Sequence, residues 1–368
     1  MKARHIPLVD LKRQYRSIRR EIDAAIKRVI KDTAFISGKY AAEFEAKFAR
    51  YVGVRHCVAL ASGTDALYLA YLALGVGRGD EVISPPNTFF ATTEPLGLLG
   101  AKPVFADIDP RTHLVDPGDI ERKITKRTKA IVVVHLYGQM ADMPAIMRLA
   151  RRHKLAVIED AAQAHGATFR GKKAGTFGDV GVYSFYPGKN LGAYGDAGAL
   201  VTNNAKIAEF VRKCHDHGRA GKYEHEFEGI SSRMDGIQAA ILSAKLPHLD
   251  RWVKKRRKIA KVYDRLLPKS VRPVAALKGG NPAYHLYVIE TDRRNEMLTY
   301  LKSKRIEAGI HYPIPLHRQK AYARLGVPRG SLPHAERAAK RVLSLPIFPE
   351  LTLAEIRFIV SAVREFFD

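Results

Sequence analysis

The sequence predicts an α/β fold, in which helices flank the mainly parallel central sheet of a large domain and a smaller α+β domain lies beside it. Short apolar runs of the length of a buried strand recur between residues 57 and 201, and strands buried on both faces of a sheet have this pattern. Segments with helical spacing alternate with those runs, as in parallel α/β sheets. The length of 368 residues exceeds that of one small module, so a second domain is expected.

Two helices are predicted before the first strand. The first covers residues 8–30, because apolar residues three or four positions apart share one face; they are Leu8, Leu11, Tyr15, Ile18, Ile22, Ile26 and Val29. The second, which is shorter, covers residues 41–51 and ends before Gly53, since glycine commonly follows a helix C-terminus.

Strands and helices then alternate through the middle of the chain. Helices are predicted over residues 65–74 and 143–153, among other places. The apolar runs predicted as strands are 57–60, 81–83, 103–105, 130–134, 155–158, 180–185 and 198–201.

The C-terminal part mixes the two element types. The pattern predicts a long helical zone over residues 232–267, a strand over 284–289, and helices over 296–308 and 353–366. We predict that residues 40–250 form the large domain. Residues 1–39 and 251–368 are predicted to form the small one.

The chain is strongly basic. Its 62 Lys and Arg residues against 37 Asp and Glu residues give a formal net charge of +25, which attracts anions such as nucleic acid, an acidic membrane surface or a phosphate-bearing small molecule. The longest basic block, residues 254–258, lies in a segment of helical spacing, where a solvated helix face is the commoner role. Because no motif that recognises DNA or RNA accompanies it, no nucleic-acid partner is expected.

Cysteines and long apolar runs are scarce. Cys57 and Cys214 form neither a disulfide framework nor a zinc-like cluster. No grouping of His, Cys and Asp has convincing metal-ligand spacing, so no metal is predicted. No apolar run approaches the ~20 residues that cross a bilayer. Residues 1–5 lead into a charged helix rather than an apolar signal core, so a cytoplasmic protein without a membrane partner is expected.

Four polar features sit at predicted strand ends, where open α/β sheets bind ligands. The first is Ser62-Gly63-Thr64, between a strand and a helix. Gly63 lets a ligand approach the backbone, and the free N–H groups at the helix start suit a phosphate. An ordinary helix cap by Ser62 or Thr64 is the simpler explanation for this feature alone.

The second and third features carry ionisable groups. Asp160 ends an apolar strand, and a carboxylate there can hold a proton on a heteroaromatic nitrogen or can cap a helix. Lys189 lies in a Gly/Pro-rich loop after a buried strand, with Ser184 just before it. A partly desolvated lysine has a lowered pKa and can act as a nucleophile, although a surface loop lysine is the simpler explanation in a chain this rich in lysine.

The fourth feature is the segment that contains Phe89, after the strand over 81–84. Its ring could stack on a flat cofactor or pack in the core, which is the commoner fate. A phosphate cradle, a stacking ring, a carboxylate and a lysine are together what pyridoxal 5'-phosphate (PLP) requires.

These features and their order resemble the nucleotide-sugar aminotransferases of the DegT/StrS type, which have the type I aminotransferase fold. The resemblance runs from residues 9–11 through 311–317 to 344–346. It is most specific at Glu159-Asp160-Ala161-Ala162-Gln163 and over residues 184–196.

The resemblance implies a role for each site residue. Lys189 would carry PLP and move protons, Asp160 would pair with the ring nitrogen, and Gln163 would bind the ring hydroxyl. Phe89 would stack on the ring. The phosphate would be bound by Gly63, Thr64 and Ser184.

The family's phosphate site also implies a homodimer with shared active sites. In this family an asparagine of the neighbouring subunit often reaches the phosphate, but Ser231 stands at that position here, which puts this contact in doubt. His311, Tyr312 and His317 belong to a Pro-rich segment that looks like the family's sugar-facing loop.

The implied reaction moves an amino group from L-glutamate to a ketone on a hexose linked to UDP or dTDP, in the biosynthesis of a cell-surface polysaccharide or a glycoside. The run 185–192 is similar to members that act on 3-keto sugars. A 4-keto sugar aminotransferase and a PLP-dependent or pyridoxamine-dependent sugar dehydratase are the alternatives, although dehydratases usually carry histidine in place of Lys189. A non-catalytic, basic nucleic-acid-binding or regulatory protein on the same fold is a more distant alternative.

Overall fold

The computed structural model describes residues 5–368 and confirms the predicted α/β fold. Residues 1–4, on which part of the localisation argument rests, lie outside the described residues. The strands are β1 (His56–Leu60), β2 (Glu81–Ser84), β3 (Lys102–Phe105), β4 (Thr128–Val134), β5 (Ala156–Asp160), β6 (Thr168–Phe169), β7 (Lys172–Lys173), β8 (Val180–Ser184), β9 (Gly198–Thr202), β10 (Arg272–Pro273), β11 (Gly280–Asn281), β12 (Tyr287–Glu290) and β13 (Val342–Leu345).

Helices separate most of these strands. They are α1 (Leu11–Asp32), α2 (Gly38–Val52), α3 (Gly63–Ala73), α4 (Glu94–Leu98), α5 (Pro117–Lys123), α6 (Met143–His153), α7 (Ala205–Cys214), α8 (Gly236–Lys245), α9 (Leu249–Leu266), α10 (Arg294–Ser303), α11 (Pro333–Arg341) and α12 (Leu353–Glu365).

The central sheet has the strand order β1-β9-β8-β5-β4-β2-β3. Strand β9 is antiparallel to both of its neighbours, and the other six strands run in one direction. The carboxyl ends of β1, β2, β5 and β8 therefore lie along one edge of the sheet, which is where such sheets bind ligands.

Both faces of this sheet are covered, as the apolar runs predict. Because side chains alternate across a strand, Cys57 and Ala59 belong to one buried apolar cluster while Val58 and Leu60 belong to the cluster on the other face. Helix α3 packs on β8 and β9 in the second cluster, and α2 packs on β1 in the first.

A separate apolar core lies in the C-terminal part of the chain. Side chains from α9, α10 and α12 surround the antiparallel sheet β10-β12-β13 in this core, and Ile6 joins them. Helix α1 contacts both parts, since Arg13 bonds Glu355 of α12 while Ile18 packs with Ile241 and Trp252. The division into residues 40–250 and residues 1–39 plus 251–368 stays a prediction, and the separate core favours it.

The predicted helical zone over residues 232–267 is two helices. Helix α8 ends at Lys245, a single 3-10 turn covers Leu246–His248, and α9 begins at Leu249. Pro247 lies in that turn, and a proline lacks the N–H that a continuous helix requires.

Candidate functional site

The site lies at the carboxyl edge of the central sheet. Asp160 is the last residue of β5, and Ser184 is the last residue of β8. Gly63 begins α3 directly after β1, and Lys189 lies in the loop between β8 and β9. The parallel directions of β1, β5 and β8 place these residues on one side of the molecule.

They line one cavity of about 590 Å³. Side chains from residues 285–286 and 311–312 close it from the C-terminal part of the chain. The predicted site residues found in its wall are Gly63, Thr64, Phe89, Asp160, Gln163, Ser184, Lys189, His311 and Tyr312.

Gly63 and Ser184 form the narrow part of the cavity. A Cβ at residue 63 would lie 2.7 Å from the Cβ of Ser184, so only glycine fits there. The Oγ of Ser62 accepts from the Asp65 N–H at 3.0 Å and caps α3. This cap leaves the hydroxyls of Thr64 and Ser184 in the wall at the N-terminus of a helix, a position that favours an anion such as phosphate.

The Asp160 carboxylate is buried but well supported. Its Oδ2 accepts from the Thr92 hydroxyl at 2.8 Å, and its Oδ1 accepts from the Ala162 N–H at 3.1 Å. Burial raises the pKa of Asp160, while these two donors and the nearby Lys189 oppose that rise. The carboxylate can therefore hold a positive group that enters the cavity.

Lys189 is surrounded by protein and reaches the cavity wall. Burial lowers the pKa of its ammonium from 10.5 to about 8, although attraction to Asp160 opposes the shift. Desolvation makes the neutral amine accessible near physiological pH, as a nucleophilic or proton-transferring lysine requires.

Gln163 is fixed by two contacts across the cavity wall. Its Oε1 accepts from the Tyr137 N–H at 2.7 Å, and its Nε2 donates to the Tyr312 hydroxyl at 3.2 Å. The Phe89 ring is 58% exposed, and its centroid lies 5.9 Å from that of Tyr312. This exposure leaves the Phe89 ring available to a ligand, which the core-packing explanation would not allow.

Histidines surround Lys189, and their pKa values are low. Burial and the Lys189 charge lower the pKa of His311 to about 4, and they move that of His285 well below its usual range. His165 is fully buried beside Tyr183, and its pKa falls to about 3 for the same reasons. These rings are therefore neutral at pH 7.

Two predicted residues lie away from the cavity wall. Ser231 is exposed, and its Oγ accepts from Arg233 at 3.3 Å. His317 is buried beside Phe105, and its Nε2 bonds Glu336 at 3.0 Å. His317 was predicted as a substrate residue, but its buried ring makes a structural contact with Glu336 instead, and we leave it out of the proposed site.

Other residues in the wall were not predicted. They include Thr88, Thr92, Asp196, Arg256 and His285. Thr88 and Thr92 lie in the segment around Phe89 that was already singled out from the sequence. The sequence therefore indicated this segment but not which of its polar residues reach the cavity. Arg256 belongs to the basic block, yet it turns inward and donates to the Ile347 carbonyl at 2.7 Å.

The chemistry of these groups fits PLP. The helix N-terminus with Thr64 and Ser184 suits its phosphate, the Asp160 carboxylate suits a cationic ring nitrogen, and the Lys189 amine suits its aldehyde. Gly63 is required for the cradle by the close contact with Ser184.

The described residues 5–368 also bear on the metal and membrane expectations. No group of three or more His, Cys, Asp or Glu side chains in this range could hold a metal ion. None of the helices formed by these residues is long and apolar enough to cross a bilayer.

The chain matches a known protein family over most of its length. Residues 16–364 match the DegT/DnrJ/EryC1/StrS aminotransferase family. A curated relative from Geobacillus stearothermophilus, named a pleiotropic regulatory protein, is 46% identical over 99% of each chain. Another, the dTDP-3-amino-3,4,6-trideoxy-alpha-D-glucose transaminase of Streptomyces venezuelae, is 44% identical over 98% of this chain and 96% of its own.

A solved structure is similar along the whole chain. The crystal structure of S. venezuelae DesV in complex with a ketimine intermediate has a TM-score of 0.96, with 43% identity over 98% of both chains. The expected type I aminotransferase fold, the aminotransferase activity and the PLP cofactor are thereby confirmed.

Proposed function

Because the chain belongs to the DegT/DnrJ/EryC1/StrS aminotransferase family, we propose that it transfers an amino group to a keto-sugar linked to a nucleoside diphosphate. The observation that carries this proposal is the placement of Lys189, Asp160 and the Gly63–Ser184 cradle in one cavity. PLP, when bound, supplies an electron-accepting ring that stabilises negative charge on the carbon bearing the amino group.

The residues of the chain then have distinct tasks. The Lys189 amine, with a pKa of about 8, attaches the cofactor and accepts or returns a proton near neutral pH. Asp160 holds the ring nitrogen in its protonated form. Gln163 is already fixed by Tyr137 and Tyr312, so its amide can bind the ring hydroxyl without further ordering.

We propose a ketone at carbon 3 of the hexose and L-glutamate as amino donor. The name of the S. venezuelae relative contains a 3-amino sugar, which supports carbon 3. Tyr312 and the neutral ring of His311 line the cavity and would contact sugar hydroxyls. The net charge of +25 would attract a diphosphate-linked sugar, either UDP-linked or dTDP-linked.

A substrate screen tests this proposal. PLP-loaded enzyme with L-glutamate would be offered UDP-linked and dTDP-linked hexoses that carry the ketone at carbon 3 or carbon 4. We expect a product of amino-sugar mass from a 3-keto substrate and none from Lys189→Ala. A product from 4-keto sugars alone would place the amination at carbon 4 instead of carbon 3. A keto-deoxy product without amine would indicate the dehydratase. No reaction with any of the sugars by PLP-loaded enzyme would overturn the proposal.

A regulatory protein is the second candidate, and the name of the G. stearothermophilus relative favours it. The basic block on α9 would then bind a polyanion. A DNA gel shift that weakens with salt, from protein without a PLP absorbance band, would support this candidate.

We also propose a cytoplasmic homodimer that serves the biosynthesis of a polysaccharide or glycoside. Phe35, Ile36 and Tyr186 expose between 45% and 60% of their surface, and contact with a second subunit would remove this apolar surface from water. Sedimentation of purified protein would test the dimer, since a monomer at all micromolar concentrations would contradict it.

A further inference from the structure

A chain of hydroxyl groups leads from the Phe89 segment to Asp160. The Oγ1 of Thr92 donates to Oδ2 of Asp160 at 2.8 Å. Thr92 has one hydroxyl proton, and this proton is already used in the hydrogen bond to the carboxylate. Thr88, whose Oγ1 lies 2.9 Å from that of Thr92, must therefore donate to Thr92.

Each of the three residues in this series of hydrogen bonds is buried. Thr88, Thr92 and Asp160 are exposed by 3%, 1% and 5%. A hydrogen bond to a buried carboxylate is stronger than one in water, and its loss leaves charge poorly solvated. The contact between Thr92 and Asp160 is therefore one of the main supports of the ionised carboxylate.

The rest of the segment is held by contacts that do not involve this hydroxyl. Tyr71 donates to the backbone carbonyl of Thr92 at 2.6 Å, and Tyr322 bonds the hydroxyl of Thr93 at 2.7 Å. The backbone at residue 92 is thus held by a separate hydrogen bond, and the side-chain hydroxyl is available to donate to Asp160.

We propose that Thr92, oriented by Thr88, is a positioning residue that holds Asp160 in the orientation and ionised form needed to retain a proton on the ring nitrogen of PLP. This inference rests on the proposed function, because it assigns Asp160 to that nitrogen. Thr92 acts only through Asp160 and touches no reacting atom in this role.

Two other ionisable side chains face Asp160. Lys189 faces the carboxylate from the loop after β8, and His135 faces it from the end of β4. Burial raises the pKa of Asp160, and the Thr92 hydroxyl is first among the groups that lower it. Removal of that hydroxyl should move the proton shared with the ring nitrogen toward Asp160.

The test compares Thr92→Val and Thr92→Ser with Thr93→Val. Valine keeps the shape of threonine and removes the hydroxyl, and Thr93→Val loses a buried hydrogen bond in the same segment without touching Asp160. PLP affinity would be measured by titration of apoprotein. The pH midpoint of the visible band of bound PLP would be measured by absorbance.

For Thr92→Val we expect PLP affinity to fall about 10-fold or more, as loss of one hydrogen bond to a charged group implies. The midpoint should rise by about one pH unit, because a neutral ring nitrogen repels the proton on the Lys189 nitrogen less. Thr92→Ser should restore most of both quantities, and Thr88→Val should shift the midpoint in the same direction by less.

Two results would separate the claims. If Thr92→Val and Thr93→Val give the wild-type midpoint and affinity, Thr92 has no positioning role, while the proposed function stands. If the wild-type protein binds no PLP, the proposed function itself fails.

Discussion

The Cα of Gly63 packs against Ser184, so that a Cβ at residue 63 would lie 2.7 Å from the Cβ of its neighbour. This contact brings the N-terminus of α3 to the end of β8. It joins the two parts of the proposed phosphate cradle, which lie far apart in the sequence.

Gly63→Ala should therefore weaken cofactor binding. The added methyl group forces α3 and β8 apart, which should cost about 1–3 kcal/mol of unfolding free energy and reduce PLP affinity at least about 10-fold. Equilibrium unfolding and PLP titration would measure the two effects.

Gly77→Ala is the matched control, because nothing lies within 4 Å of a Cβ at that residue. It should leave both quantities near their wild-type values. Equal PLP affinity in the two variants would show that the cradle is not where the phosphate binds.

Lys189→Ala should abolish covalent attachment of PLP. Borohydride reduction of PLP-loaded protein should add the mass of one reduced cofactor to the peptide that contains Lys189, and the variant should show no such adduct. Lys172→Ala, at an exposed lysine of β7, should label like wild type. An adduct on another lysine would contradict the assignment.

The rate of PLP attachment should depend on pH with a midpoint near 8. Only the neutral amine attacks the aldehyde, and burial lowers the pKa of Lys189 from 10.5 to about 8. The rate should thus rise about 10-fold per pH unit below 8 and level off above it. Stopped-flow absorbance on apoprotein would follow it, and a rate still rising steeply between pH 9 and pH 10 would indicate an ordinary lysine.

The pair between Arg13 of α1 and Glu355 of α12 should make stability depend on acid pH. Two Arg13 nitrogens donate to the two Glu355 oxygens at 2.9 and 2.6 Å, and the Arg13 hydrogen bond is the main cause that lowers the pKa of Glu355 from 4.5 to about 2. A lowered pKa stabilises the fold above the unfolded-state value, and this stabilisation is lost as pH falls from about 4.5 toward 2.

Arg13→Met should therefore flatten the fall in unfolding free energy between pH 5 and pH 3, as measured by urea titration. Arg19→Met is the control, since Arg19 is 68% exposed in its pair with Asp23 on the same helix and such pairs contribute little. If the unfolding free energy of wild type and of Arg13→Met falls equally steeply with pH, the pair does not contribute to the acid dependence of stability.

Local sequence patterns predicted many of the helices and strands. Helix 143–153 was predicted with its observed bounds, because apolar spacing is a local property of the chain. The seven strands of the central sheet were also predicted within a few residues of their ends, whereas β13 and the two-residue strands were not predicted. The break at Pro247 was missed, since helical spacing continues on both sides of it.

The sequence by itself predicted the chemical groups of the candidate site, because strand ends and helix starts place Lys189, Asp160 and Gly63 at one edge of a parallel sheet. Only the tertiary structure decided which polar residues reach them. Thr92 meets Asp160 across 68 residues of chain, whereas His317, from the same segment as His311, turns away to Glu336. Such contacts depend on side-chain direction and packing between distant segments, and spacing along one chain does not encode either.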